Sequence, residues 1–395
     1  MKYKESNILI IIEALKRIIA IFLGPFLTAY FIKTSMNSIN DLSLYYIVNY
    51  GAHAIFGIIM GAIVKKKYRL AMFRLGIISN FIYILFIVLL QEKMLNYIPQ
   101  IAFLYGFSAI AYYYPYNLFA STKIKNSDRT EYEFKKKTTQ SVIGILIPVL
   151  LGSIISTTNF RLTAIIILII SIIQIILSLL LKPIGVQDDE FNIIDSFKKL
   201  TKNKDVKNMF IVDFFKGFFV TDSALDATIV ILIISAFKTE MNLGIISSIA
   251  SVFIIFMQYI YTKYLKDKDD RHLIISCSFI PIVVLLILIL KTSNVTLTLY
   301  YFIYMTTINL LALILDVRLF NVANSKIVRD GNFLEYWSIR EFFLNLGRVS
   351  GYILLFLVGL TNKLNLLYYL MILLAFAIII TGYFVSKVRK YNSVK

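Results

Sequence analysis

Charge is scarce in this chain. Only 16% of its 395 residues are Asp, Glu, Lys or Arg, whereas soluble domains carry about 25%. With 58% hydrophobic residues, the sequence holds more apolar surface than a soluble core can absorb, so an ordinary water-soluble fold is excluded. Cysteine is nearly absent. Cys277 stands alone in an apolar run, which excludes a disulfide framework and a cysteine-based metal site. The only histidines are His53 and His272, so the His/Asp or His/Glu clusters of a membrane-embedded enzyme are missing. No Gly-rich segment ends in Lys followed by Ser or Thr, which argues against an ATP-driven pump. No small-residue cleavage site follows the first apolar run, so Ile8 onward is expected to be a retained span and not a signal peptide. Neither a metal nor a cofactor is expected.

What the chain has in abundance is apolar windows of about 20 residues, the signal of membrane spans. Twelve are expected, near 8–32, 43–64, 70–90, 99–121, 138–157, 161–182, 208–235, 241–262, 272–291, 296–320, 333–360 and 364–387. Only helices or closed barrels satisfy the backbone in lipid. These runs are too long and too uniformly apolar for barrel strands, so the fold class is all-α. Richness in Ile, Lys, Asn and Tyr suggests an AT-rich bacterial genome.

The net charge of +18 reflects topology and does not point to nucleic acid. One set of loops and both tails hold 28 lysines and arginines, and the opposite loops hold six. The positive-inside rule then puts both termini in the cytoplasm, as an even span count requires. The linker 183–207 is cytoplasmic too. Within it Phe191, Ile194, Phe197 and Leu200 recur every third residue beside Lys198, Lys199 and Lys202. That pattern suits either a helix lying in the membrane interface or a solvated connector.

The two halves of the sequence resemble each other. Glu13 and Lys16 open the first span, and Asp213 and Lys216 open the seventh. "NLFASTKI" at 117–124 matches "RLFNVANSKI" at 318–327, and Glu131-Tyr132 matches Glu335-Tyr336. Agreement in order and offset predicts a six-span repeat: residues 1–182 as one bundle, 183–207 as linker and 208–395 as the second bundle. Transporters built from two such halves place their site near the midplane. With this organisation the chain resembles the major facilitator superfamily of secondary transporters over nearly its full length. The resemblance implies two six-helix bundles related by a pseudo-two-fold axis along the membrane normal, with a cavity lined by spans one, four, seven and ten.

The family's local motifs are reduced here. The loop between spans two and three reads "GAIVKKKYRL". Gly61 and the basic residues are kept, but Lys65 stands where the family has Asp and Tyr68 where it has Gly. The gating role of that Asp does not carry over. In span five, Gly144, Pro148 and Gly152 look like a shortened antiporter motif, with Ile147 where the family has Gly. A Pro kink with close helix packing explains the same residues.

Ionisable residues at membrane depth carry the functional reading. Each costs roughly 2.5–3.5 kcal/mol at mid-helix even on the lenient insertion scale, so they must face one another or water. Glu13, Lys16, Arg17, Asp213, Lys216, Asp316, Arg318 and Arg340 lie towards the cytoplasmic ends of their spans. They suggest a gate in which opposite charges of the two halves pair when the inside is closed. Pairing of Glu13 with Lys16 and of Asp213 with Lys216 inside their own helices explains the spacing equally. Asp222 and Asp226 lie deeper, one turn apart on a face turned away from Asp213; a helix break at Gly217 would reconcile the two directions. Two carboxylates away from bulk water favour holding one proton between them, as coupling requires, although an Asp in this place can also cap an outer turn. Glu341, Asn345 and Arg348 form a polar stripe on span eleven, where Arg348 offers a bidentate fork to an anionic group. Tyr113 and Tyr116 in "YYYPY" suit an amphiphilic or sugar-like ligand, or serve packing. His53 suits proton relay or packing.

The function expected is secondary active transport of a small organic solute, zwitterionic, anionic or amphiphilic, across the plasma membrane by alternating access with proton coupling. The alternatives are a multidrug exporter working as a proton antiporter and a lipid-moving protein of the same fold; a membrane-embedded enzyme ranks below both. The expected partners are the solute, the proton and the bilayer, with no nucleic acid, and the chain is expected to act as a monomer.

Overall fold

The computed structural model describes residues 2–388 except 37, 66–67, 124–125, 184–190, 266–269 and 362. Of the basic residues used for orientation, Lys66, Lys67, Lys125, Lys266, Lys268, Arg389, Lys390 and Lys395 lie outside the described residues, as does the 184–190 part of the linker. The chain is helical, and its contacts group it into two compact units. The first comprises residues 1–189 and 239–248, the second residues 190–238 and 249–395.

In the first unit the order is α1 (Lys2–Ile21), α2 (Leu27–Thr34), α3 (Ser38–Lys65), α4 (Arg69–Leu90), α5 (Ile98–Lys123), α6 (Asn126–Thr157) and α7 (Phe160–Leu179). A π turn over Phe22–Phe26 joins α1 to α2. Pro25 lies in this turn and has no N–H to donate, so the helix widens there instead of ending. The second unit runs α8 (Ile193–Leu200), α9 (Lys204–Lys216), α10 (Ala224–Phe237), α11 (Glu240–Ile260), α12 (Arg271–Leu290), α13 (Asn294–Ala323), α14 (Lys326–Arg329), α15 (Phe333–Gly359) and α16 (Leu366–Ser386). Residues 240–248 of α11 group with the first unit.

Among the described residues nine stretches are long and apolar enough to cross a membrane, and one of them, Arg69–Phe119, holds both α4 and α5. The two expected spans that this leaves are the first of each half. Both are interrupted: α1–α2 by the π turn, and α9–α10 by a seven-residue break over 217–223. The expected seventh span over 208–235 thus consists of two short helices, with the break that begins at Gly217. The protein is a polytopic, all-α membrane protein, as its composition requires.

Four packing pairs recur in both units. In the first, α1 packs on α6 and α7, and α4 packs on α5 and α7. In the second, α9 packs on α15 and α16, and α12 packs on α13 and α16. Counted as spans, first meets fifth and sixth, and third meets fourth and sixth, in each half. Arginines also close the last span of each half, Arg74 half-buried and Arg318 buried. Arg74 of α4 donates to the carbonyls of Ser178, Leu179 and Leu181 at the end of α7. Arg318 of α13 donates to those of Val385 and Val388 at the end of α16. Helix C-terminal carbonyls have no intrahelical partner, and a cation is favoured there.

The linker helix α8 is not a free connector. Asn192 caps it, accepting from the Asp195 backbone N–H. The Asn192 N–H donates to the Glu335 carboxylate, and Ser196 donates to Asn332. The Phe197 ring stacks on Phe210 and Phe343. The described part of the linker therefore packs on the start of α15, while Ile194, Lys198, Lys199 and Lys202 stay exposed.

Helices α9 and α15 touch backbone to backbone at Gly217 and Gly347. A Cβ on Gly217 would overlap the Leu344 carbonyl and the Arg348 nitrogen, and one on Gly347 would overlap the Phe214 carbonyl. Small residues permit such approach in membrane bundles. Gly347→Val is therefore expected to destabilise the protein by about 1–3 kcal/mol, the usual cost of overpacking. Gly51→Ala in α3, where a Cβ meets nothing within 4 Å, should hold or slightly raise stability. Thermal melts of the two variants in detergent check this; equal melting of Gly347→Val and wild type would refute the contact.

Candidate functional site

Each unit contains one buried polar cluster built around the acid–lysine pair of its first helix. In the first unit, Glu13 and Lys16 are 8% and 2% exposed. The Glu13 carboxylate accepts from the Tyr112 hydroxyl of α5 at 2.9 Å and from Gln140 Nε2 of α6 at 3.2 Å. Gln174 of α7 donates to the adjoining Ile12 carbonyl at 3.1 Å. Lys16 points elsewhere: Nζ donates to Asn80 Oδ1 of α4 at 3.1 Å. The same ammonium lies 5.3 Å from the ring centre of Tyr112 and 5.8 Å from those of Tyr105 and Tyr113. Aromatic faces attract a cation, and more so where water is excluded.

In the second unit, Asp213 is 1% exposed. Its Oδ2 stands 3.2 Å from Arg340 Nε of α15. Arg340 also approaches Glu341 Oε1 at 3.4 Å and the Trp337 ring at 5.0 Å. Lys216 again turns to another helix, pairing with Asp316 Oδ1 of α13 at 3.1 Å. Arg318, two residues on, faces a different way and forms a buried ion pair with Asp270 before α12. Asp316 and Arg318 thus divide between two neighbours.

The sequence leaves open whether these charges pair across the halves or inside their own helices. The partners observed are of a third kind: they lie on neighbouring helices of the same unit. A buried charge settles with the core it folds in, and the acid and the lysine of each pair, three residues apart, reach different neighbours. Arg17, one residue beyond Lys16, is exposed.

Asp222 and Asp226 sit at the break between α9 and α10. Asp222 adopts the left-handed backbone region with φ of +61°, a conformation that Asp tolerates better than most residues. The Asp226 carboxylate accepts from the Asp222 backbone N–H at 3.0 Å, and Ser223 Oγ accepts from the Asp226 N–H. This is close to a capping box for α10. Side chains also hold the carbonyls of the break. Tyr304 donates to Phe219, Arg348 to Thr221 and Tyr352 to Asp222. Arg348 therefore spans from α15 to the broken helix, and it also donates to Asn345 Oδ1 at 3.4 Å. Asn345, fully buried, donates to the Glu341 carbonyl at 2.8 Å.

Of the two tyrosines, Tyr113 is half-buried beside the Lys16 ammonium. Tyr116 lies inside an apolar cluster with Ile8, Phe73 and Ile77, and its hydroxyl bonds that of Tyr132 at 2.8 Å. His53 is buried within α3. The sequence offers Tyr112 only as part of the "YYYPY" run, and Asn80, Gln140, Gln174 and Asp270 do not stand out in it. Asn80 and Gln174 are polar residues set in apolar runs, "ISNFI" and "IIQII", and that was the available signal. No group of three or more His, Cys, Asp and Glu that could hold a metal occurs among the described residues.

The fold is similar to that of solved membrane-transporter structures. Two solved structures carry the likeness over almost the whole chain. One is a bacterial homolog of the human lysosomal transporter Spinster, in an inward-facing, unoccupied conformation: 11% identity, 99% of each chain covered, TM-score 0.64. The other is the nucleoside transporter NupG, as a point mutant: 14% identity, 98% of this chain and 100% of that one covered, TM-score 0.71. No protein-family profile and no curated protein sequence matches the chain.

Losing one partner of a buried ion pair strands the other and costs about 3–5 kcal/mol. Arg340→Met, which leaves Asp213 without its guanidinium, is expected to lower the melting temperature well below that of Lys16→Met, because the Lys16 ammonium is hydrogen-bonded to neutral Asn80 while Glu13 keeps its bonds from Tyr112 and Gln140. Equal melts would show that the Asp213–Arg340 pair adds nothing. Arg348→Ala should speed amide exchange across 217–223 relative to the rest of α10, as read by mass spectrometry, because the Thr221 carbonyl loses its donor.

Proposed function

We propose that the protein is a secondary active transporter that moves a small organic solute across the plasma membrane by alternating access, coupled to protons, with both termini in the cytoplasm. One observation carries the reading. Each unit buries opposite charges inside its membrane helices, and they are bonded between helices rather than spread towards water. Such groups are expensive at membrane depth and are kept where they serve a pathway, a relay or a switch. The held break in the seventh span adds to it, since irregular backbone is tolerated at that depth where it lines a cavity or is buried in protein. The Arg348, Asn345 and Glu341 stripe beside that break is assigned to solute contact, with Arg348 facing the anionic part of a zwitterionic, anionic or amphiphilic solute. Multidrug exporters and lipid-moving transporters share this construction, so their solutes belong in the test.

A ligand that binds only the folded state raises its apparent stability. The test is a thermal-shift screen of the purified chain against nucleosides, sugars, amino acids, lysophospholipids and cationic drugs. Vesicle uptake of the best stabiliser is then measured with and without an imposed pH gradient. The expected result is a stabiliser that accumulates only under the gradient and whose effect weakens in Arg348→Ala. A stabiliser that never crosses the membrane, in either uptake or counterflow, would overturn the transport reading. Equal movement with and without the gradient would overturn proton coupling alone.

A further inference from the structure

Three positions of the two polar clusters correspond at a constant offset. Glu13 and Asp213 are 200 residues apart, and so are Lys16 and Lys216. The partner of each acid keeps the same offset: Gln140 on α6 and Arg340 on α15. The separations agree too, 3.2 Å in both units. Part of one construction is thus used twice with its partners changed, and the change on the fifth span bears most directly on the acid. In the second unit the fifth span supplies a guanidinium, whose charge is permanent. In the first it supplies a neutral amide.

That change alters what the acid can do. If Asp213 took up a proton, Arg340 would keep its charge in a buried place with only Glu341 left to answer it. Glu13 accepts its hydrogen bonds from neutral donors, Tyr112 and Gln140, so a proton arriving on its carboxylate strands no arginine. The charged and titratable groups facing it are Lys16 and Arg17 from its own helix, Tyr112 from α5 and Lys136 from α6. Helix α7 presents the neutral Gln174. Lys16 itself rests on an amide and aromatic rings, and a lysine, unlike an arginine, can give up its proton. Asp226, the deeper candidate, has a carboxylate oxygen accepting the Asp222 backbone N–H in the break, beside the Ser223 cap of α10.

We infer that Glu13 is the proton-carrying residue of the first unit, with Tyr112 and Gln140 holding its ionised form between uptake and release. The proton binds a Glu13 carboxylate oxygen from water on one side of the membrane and returns to water on the other, and no other bond changes. The inference rests on the proton-coupled reading above and goes further by naming the residue.

The test is an infrared pH titration of the full chain reconstituted in vesicles, with the proton itself as probe. Wild type should show the carbonyl band of a protonated carboxyl growing as pH falls. Glu13→Gln should remove that band, and Asp226→Asn should keep it. Gln140→Arg, which copies the second unit, should suppress the band by giving Glu13 an ion-pair partner. Tyr112→Phe should shift its frequency by removing one donor, and this gentler variant serves if the arginine disturbs folding. A band that survives Glu13→Gln, or none in wild type, overturns the assignment. The two readings fail separately. Solute movement indifferent to pH in wild type sinks the coupling. Solute accumulation that is pH-driven and unchanged in Glu13→Gln sinks Glu13 alone.

Discussion

The constraint on which the structure depends is that lipid offers no hydrogen bonds. Every polar group carried into a span must be satisfied by another part of the protein. The apolar residues of this chain settle the number and length of helices. The few polar ones settle how the helices are matched. Glu13 ties α1 to α5 and α6, Lys16 ties it to α4, and Gln174 brings α7 to the same helix. Hydrophobic attraction adds little between helices already in hydrocarbon, so packing and these bonds fix which neighbours meet. The first helix of the unit becomes its hub because it carries the charges.

The same constraint explains why a duplicated chain diverges where it does. The four packing pairs persist through both units, since they follow from helix length and small-residue contacts. The polar partners are freer to change, provided each change leaves no group unanswered. An acid can be met by an arginine or by two neutral donors, and a lysine by an aspartate or by an amide and aromatic rings. Both solutions are present, one in each unit. They satisfy the same backbone geometry but differ in how tightly they bind charge to place.

Much of the fold was legible in the sequence and less of the site. Twelve spans, the repeat and the pairing of its first helices could be read, because hydropathy and offset are properties of the string. A break at Gly217 was foreseen as one option, from a conflict between the directions of Asp213 and Asp222. What the string does not hold is the identity of partners on other helices. The opposite charges read as a gate between halves, or as pairs within one helix, also have partners on neighbouring helices of their own unit. Asn80 and Gln140 were overlooked because neutral polar residues carry no charge signal, and hydropathy averages dilute a single amide in a run of isoleucines. The Asp222 and Asp226 pair reads from the string as a coupling pair or as caps of an outer turn, and the backbone of residues 222–226 adds that Ser223 caps α10 while the Asp226 carboxylate holds the Asp222 N–H.

The interruptions of the two first spans follow from the same argument. A helix that carries an acid and a lysine to different neighbours is pinned on several sides near its basic end. Further along, its path must suit the rest of the bundle, and a straight rod cannot meet both demands. The first unit resolves this at Phe22–Phe26 with Pro25, where the helix widens yet keeps a bonded backbone. The second resolves it at 217–223, where the helix opens and Tyr304, Arg348 and Tyr352 take over the freed carbonyls. A π turn is self-contained. An open break held by side chains from α13 and α15 depends on those helices keeping their place, so any shift in them is felt at the backbone of the seventh span. The first unit thus holds its charges on a helix whose bonding runs on through the π turn, and the second on one whose bonding is handed to its neighbours.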